Sequence, residues 1–186
     1  MHDSFFLTIW DSAIQMRDDM NGPLVIMGVA GCGKSSLGAA VAAQLGWQLV
    51  EGDEFHPPSN VDKMRQGVAL TDADRTGWLD ALAAALEQRG SNTVLTCSAL
   101  KKAYRDRLRQ AVPALLFAHL TLTKEQARAR VTQRASHYFN ANLVDSQFAD
   151  LESPVAETGV LTLDACESLA QLQERVCNWL QSKELV

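Results

Sequence analysis

Eight consecutive residues, Gly28-Val29-Ala30-Gly31-Cys32-Gly33-Lys34-Ser35, match the pattern GxxxxGK[ST]. The chain's own residue frequencies would yield about 0.002 such matches by chance. Glycine belongs in such a loop because backbone N–H groups converge on an anion only where no Cβ blocks the approach, and a helix N-terminus adds positive potential. A lysine at the seventh position reaches the β- and γ-phosphates of a nucleotide, and the following hydroxyl ligates magnesium. Gly28, Val29, Ala30, Gly31, Cys32, Gly33, Lys34, Ser35 and Ser36 are therefore the candidate nucleotide-binding residues, with Lys34 also catalytic and Ser35 a metal ligand. The expected ligand is ATP with Mg²⁺; no NKxD motif for guanine is present. This loop alone does not separate a switch, a motor, an ATPase and a small-molecule kinase.

A second segment, Glu51-Gly52-Asp53-Glu54-Phe55-His56-Pro57-Pro58-Ser59-Asn60, sets carboxylates beside a histidine and two prolines. Phosphoryl transfer to an alcohol needs a group that orients the hydroxyl and accepts its proton, and a carboxylate near the metal serves both needs. Asp53 is the candidate base and second metal ligand; its structural alternative is a turn or helix-capping residue. His56 is either a ligand or a packed ring in a rigid turn. A third segment, Cys97-Ser98-Ala99-Leu100-Lys101-Lys102-Ala103-Tyr104-Arg105-Asp106-Arg107, opens a helix with cations, against the preference of the helix dipole. One or two of them answer to an anionic ligand and the rest to solvent. Further on, Arg130 and Arg134 stand four residues apart, where two guanidiniums repel unless an anion lies between them. In a kinase that anion is the transferring phosphoryl group, which makes both candidate catalytic residues; their alternative is the solvated basic face to which Arg128 belongs.

These groups need a scaffold that gathers three turns. Strand-length apolar runs occur at Leu24–Met27, Trp47–Val50, Val94–Cys97, Leu115–Leu122 and Val160–Leu163. Between them the spacing predicts helices bearing Leu37, Val41 and Leu45, then Trp78, Leu79, Leu82 and Leu86, and finally Leu169, Leu172, Val176, Trp179 and Leu180. A further helix is predicted from Lys101 to Ala111, ended by Pro113, and Gly46 and Gly90 stand where left-handed C-terminal residues are wanted. Strands that are apolar throughout, alternating with helices, indicate an α/β fold whose parallel sheet is covered on both faces, with ligands at the carboxyl ends of the strands.

Composition sets the outer bounds. With 186 residues the chain fits one compact domain, here residues 23–186, preceded by an extension over 1–22. A net charge of −5 offers no global attraction for nucleic acid or anionic lipid, so any phosphate must be held locally. No apolar run is long enough to cross a membrane, and the four cysteines show neither CxxC spacing nor a zinc-ligand pattern, as expected of reduced thiols in a cytoplasmic protein.

Taken in order, Gly28 to Ser35, Gly52-Asp53-x-x-His56-Pro57, Asn60-x-x-Lys63-Met64-x-x-Gly67, Leu70-x-Asp72-x-Asp74-Arg75 and Ser98-Ala99-Leu100-Lys101-Lys102-x-Tyr104-Arg105-Asp106 resemble the gluconate kinase family. The likeness continues through Arg134-x-x-His137-Tyr138-Phe139 and Ser146-Gln147-Phe148-x-x-Leu151-Glu152-x-Pro154. It implies a P-loop kinase fold with a five-stranded parallel core, a small helical lid at about 128–145, a homodimer, and ATP-dependent phosphorylation of D-gluconate at its 6-hydroxyl. It also implies that Asp53 activates that hydroxyl and that His56, Lys63, Arg75, Ser98, Lys101 and Arg105 line the sugar-acid pocket. Which cation meets the carboxylate stays open. The competing readings are a shikimate or nucleoside monophosphate kinase of the same architecture and a non-enzymatic nucleotide switch. The chain departs from the family at Ser136, usually glycine, at Gly77, usually a proline at a helix start, and at Cys32, usually serine. A thiol at the helix N-terminus would make the loop sensitive to oxidants.

Overall fold

A computed structural model describes residues 22–133 and 143–183. Five parallel strands form one sheet in the order β2-β3-β1-β4-β5: β1 Leu24–Met27, β2 Gln48–Glu51, β3 Thr93–Cys97, β4 Leu116–Thr121 and β5 Val160–Asp164. The intervening helices are α1 Lys34–Leu45, α2 Pro58–Arg65, α3 Asp72–Arg89, α4 Lys102–Ala111, α5 Lys124–Gln133, α6 Leu143–Asp150 and α7 Leu169–Lys183. A short 3₁₀ turn, Gly52–Phe55, follows β2. The doubly covered parallel sheet expected from the apolar runs is present. All but Gly22 of the predicted N-terminal extension lies outside the described residues.

Burial on both sides explains the unbroken hydrophobicity of β1. Leu24 and Ile26 face a core shared with Leu37 and Val41 of α1 and Val176 and Leu180 of α7. Val25 and Met27 face the opposite core, with Trp78, Leu79, Leu82 and Leu86 of α3 and Tyr104 and Leu108 of α4. Side chains alternate along a strand, so a central strand sandwiched between helices has no polar face.

Helix ends follow local chemistry. Gly46 closes α1 in the left-handed region, at φ 69° and ψ 22°. Gly90 departs from expectation: its φ of 77° is positive, but ψ is −161°, an extended conformation that only glycine adopts readily. The other difference is the start of α3. It begins at Asp72, behind a capping box in which the Thr71 hydroxyl accepts the Asp74 N–H and the Asp74 carboxylate accepts the Thr71 N–H. Gly77 therefore lies inside the helix and loosens no helix start.

The connection from β1 runs to β2, and that from β3 runs to β4, so the two pass in opposite directions across the sheet. Such a reversal opens a crevice beyond the carboxyl ends of β1 and β3. Gly28, Ser98 and Gly52 are the first residues past β1, β3 and β2, which brings the three chemically loaded segments to one rim.

Candidate active site

A cavity of about 310 Å³ occupies that crevice. Ala30, Gly31, Gly33, Lys34 and Ser35 form one wall; Asp53, His56, Thr96 and Ser98 come from the ends of β2 and β3. Arg75, Met64, Ala69 and Leu70 close the side toward α3, and Val131, Leu143, Ser146 and Gln147 the side toward α5 and α6.

The glycine loop has the backbone its sequence demands. Gly28, Gly31 and Gly33 have φ of 140°, 81° and 101°. A Cβ on Gly28 would stand 2.6 Å from the Leu120 carbonyl oxygen, and one on Gly31 would stand 2.9 Å from that of Ala127. Gly33 caps α1 in the left-handed region with no side-chain acceptor, and no acidic residue occupies the first turn. The opening amides of α1 are thus left for an anion at the cavity wall, which is how a triphosphate would be held. The Lys34 ammonium folds back to donate to the Val29 carbonyl at 3.2 Å. Val29 is buried beneath the loop and Ser36 is exposed on α1, so neither side chain lines the cavity.

Oxygen donors suited to magnesium sit beside the loop. The Ser35 hydroxyl donates to Glu51 Oε2 at 3.0 Å, and the Thr96 hydroxyl donates to the same oxygen. Together with Asp53 this is a hard-oxygen set of the kind that binds Mg²⁺ through one or two protein ligands plus phosphates and water. Among the described residues no cluster of three or more carboxylate, histidine or cysteine ligands would form a dedicated metal cage. Glu51 carries no role in the sequence reading; its place as the last residue of a strand, two residues before Asp53, is the available signal.

Asp53 lies in the 3₁₀ turn, and two contacts hold that turn in place. Trp78 Nε1–H donates to the Gly52 carbonyl at 2.8 Å. A Cβ on Gly52 would lie 2.3 Å from the Thr96 carbonyl oxygen, so β2 ends hard against β3. Trp78 also stacks on His56, with ring centroids 4.4 Å apart and planes 11° apart. Burial pushes His56 down to about 4, against the pull of Asp53 and aided by Arg75. At neutral pH it is an uncharged imidazole, a hydrogen-bonding group and not a cation.

The cations singled out from the sequence part company here. Arg75 is 6% exposed and lines the cavity, and its Nε has no hydrogen-bond partner among the described residues. Its carboxylate neighbour, Asp150, stands 3.9 Å away. Lys63 is instead bound to Asp74 at 2.6 Å, a contact that heads the causes holding Asp74 down to about 2. Lys101 is bound to Asp72 at 2.6 Å, with Asp150 at 3.6 Å, and neither lysine is part of the cavity wall.

The structure contradicts a pocket position for Arg105. It is 0% exposed and its guanidinium is spent internally: Nη1 donates to the carbonyls of Ala99 and Leu100 at 2.8 Å, Nη2 to Glu152 O at 3.1 Å and Glu157 Oε1 at 2.5 Å, and Nε to both Glu157 oxygens at 3.1 Å. A buried guanidinium stays where its acceptors are, and those acceptors lie behind the cavity. Arg130 lies against the phosphate loop. It donates to Ala165 O at 2.9 Å and Gly31 O at 3.5 Å, tying α5 to the outer side of the loop. Arg134 and Ser136 lie outside the described residues. Arg128 pairs with Asp145, as a surface residue would. Cys32 is only 1% exposed, packed in the core below the loop, which removes the access that an oxidant-sensitive thiol needs.

Two features were not legible in the sequence. α2 carries Met64 to the cavity and is pinned to α3 by Asn60 Nδ2 donating to Asp74 O at 2.8 Å. Gln147 reaches the loop itself, accepting the Ala30 N–H at 2.6 Å.

Comparison with known proteins agrees with this arrangement. The AAA domain family profile matches residues 24–157. A probable gluconokinase of Schizosaccharomyces pombe is 42% identical over an alignment covering 81% of this chain and 83% of that protein. The gluconokinase of Gluconobacter oxydans is 43% identical, covering 70% of this chain and 75% of that protein. The crystal structure of a gluconokinase from Sinorhizobium meliloti superposes with a TM-score of 0.80 at 38% identity, covering 88% of this chain and 93% of that one. The chain belongs to the gluconokinase family of P-loop kinases.

Proposed function

We propose that this chain phosphorylates D-gluconate, transferring the γ-phosphoryl group of MgATP to the 6-hydroxyl. Asp53 accepts the hydroxyl proton, the hydroxyl oxygen forms the new bond to phosphorus, and the bond to the bridging oxygen breaks with its electron pair leaving on ADP. The products are 6-phospho-D-gluconate and ADP. The glycine loop and Lys34 hold the triphosphate, and Ser35, Asp53 and Glu51 supply the oxygens that would hold magnesium. Magnesium, when bound, neutralises charge on the phosphate oxygens. His56, uncharged, and Ser98 hydrogen-bond the polyol.

The observation that carries this reading is Arg75: a buried guanidinium, its Nε unpartnered among the described residues, on the wall of the same cavity as the glycine loop. A planar, bidentate donor suits a carboxylate. Arg75 receives the acid end of the substrate, and Lys63 and Lys101 act one layer back, fixing α2 and α3 through Asp74 and Asp72. Arg134 contributes to phosphoryl transfer from outside the described residues. The family resemblance supports a homodimer and a single kinase domain over 23–186. Four free cysteines and the absence of a membrane-crossing helix among the described residues support a cytoplasmic setting.

ADP release measured with gluconate, shikimate and nucleoside monophosphates tests the substrate, and gluconate should be the acceptor turned over. Asp53→Asn should lower kcat by about 10²-fold or more while leaving MgATP binding largely intact, because Ser35, Glu51 and the amide oxygen of the new side chain still offer oxygens to magnesium. Faster turnover of another acceptor overturns the substrate assignment; undiminished turnover by Asp53→Asn overturns the role of Asp53.

A further inference from the structure

α6 brings a neutral amide to the phosphate loop. Gln147 Oε1 accepts the backbone N–H of Ala30 at 2.6 Å, and the same side chain lines the cavity. Ala30 follows Val29, whose carbonyl accepts the Lys34 ammonium. The Val29 carbonyl and the Ala30 N–H belong to one trans peptide unit, so the Lys34 ammonium and the Gln147 carboxamide grip opposite edges of the same loop peptide. The position is rigid: Val144 and Phe148 of α6 pack with Leu100 and Ala127 against Val29.

The chemistry of the contact fixes the orientation of the amide. A backbone N–H can only donate, so the carboxamide oxygen faces Ala30 and the NH₂ group, on the other branch of the carboxamide, remains a donor on a residue of the cavity lining. The loop thus orients a side-chain donor at the mouth of the phosphate site. In phosphoryl transfer, charge spreads over three equatorial oxygens, and donors already aimed at those oxygens act without reorganising.

We propose that Gln147 is a catalytic residue whose Nε2 donates to an equatorial oxygen of the phosphoryl group in flight, with Ala30 as the anchor that aims it. The proposal rests on the phosphoryl-transfer reading above. It assigns a transition-state role to α6, which also carries Asp150 to Arg75 and Lys101 and Asp145 to Lys124 and Arg128.

Two variants separate this role from a mere tether. Gln147→Glu keeps an oxygen for the Ala30 N–H but loses the donor; Gln147→Met keeps the length and loses both. kcat, both KM values and Tm are measured beside the wild type, on gluconate or on whichever acceptor it turns over. The donor role predicts that both variants lose about 10²-fold in kcat, with KM for MgATP and acceptor changed less than about threefold and Tm within a few degrees. A tether predicts that Gln147→Glu keeps wild-type kcat while Gln147→Met loses it together with Tm, and that result overturns the proposal. So does a loss confined to KM. Wild-type turnover without gluconate selectivity would instead refute the substrate assignment and leave the Gln147 comparison intact.

Discussion

Replacing Arg105 by lysine distinguishes a substrate ligand from a structural staple. The guanidinium serves the carbonyls of Ala99, Leu100 and Glu152 and both oxygens of Glu157 with no exposure to solvent. An ammonium keeps the charge, but from one nitrogen it cannot hold Glu157 and also reach all three carbonyls. Two carbonyls left bare at 1–3 kcal/mol each give a loss of about 4 kcal/mol. At about 2 cal/mol/K of unfolding entropy per residue, a chain of 186 residues should lose about 10 °C in Tm. The second readout is KM for gluconate, which should stay within about threefold, because Arg105 does not reach the cavity. Thermal melts and steady-state kinetics on one preparation give both numbers. An unchanged Tm with KM raised tenfold or more would place Arg105 in the pocket and refute the reasoning.

Two further outcomes follow from single positions. Gly77 sits inside α3 where an added Cβ meets nothing within 4 Å, so Gly77→Ala should raise stability by about 0.5–1 kcal/mol, or about 2 °C in a thermal melt; a lower Tm would show that this face is covered. His119 is buried in β4, both ring nitrogens lack partners among the described residues, and burial with nearby Arg105 pushes it down to about 4. Between pH 6.5 and 4 the unfolded chain binds a proton there that the folded chain refuses, so stability is undiminished above pH 6.5 and falls by up to about 3 kcal/mol on the way to pH 4. His119→Leu should flatten that part of a urea-unfolding series against pH, and an unaltered pH dependence would remove His119 as its source.

What could be read from the sequence was what burial and backbone geometry enforce locally. β1 coincides with the run Leu24–Met27 because a central parallel strand is apolar on both faces. The loop glycines stand where positive φ and close approach require them. α2 leaves no periodic signal because it buries one residue, the polar Asn60, and so shows no apolar stripe. The start of α3 is hidden for a related reason: its first turn is set by the Thr71–Asp74 capping box and is polar, whereas the apolar period begins at Trp78. The cations were harder still. Their fates depend on carboxylates far along the chain, Asp74 for Lys63, Asp72 for Lys101 and Glu157 for Arg105, and no local pattern announces such pairs.

Those pairings also explain how a chain of net charge −5 can be built for anionic substrates. Lys63 and Lys101 meet Asp74 and Asp72 at 2.6 Å, Lys124 and Arg128 share Asp145, and Arg105 and Arg109 share Glu157. Each cation so held offers little to a ligand, because its field is cancelled at contact distance. Two cations on the cavity wall escape that fate. Among the described residues Lys34 donates to a neutral carbonyl, and Arg75 stands 3.9 Å from Asp150 with its Nε unmatched. They arise from α1 and α3, helices on opposite faces of the sheet. Among the described residues of the cavity wall, the cationic attraction for anions therefore comes from two side chains that converge from opposite sides of the sheet. The rest of the molecule stays acidic and repels anions that do not fit between them.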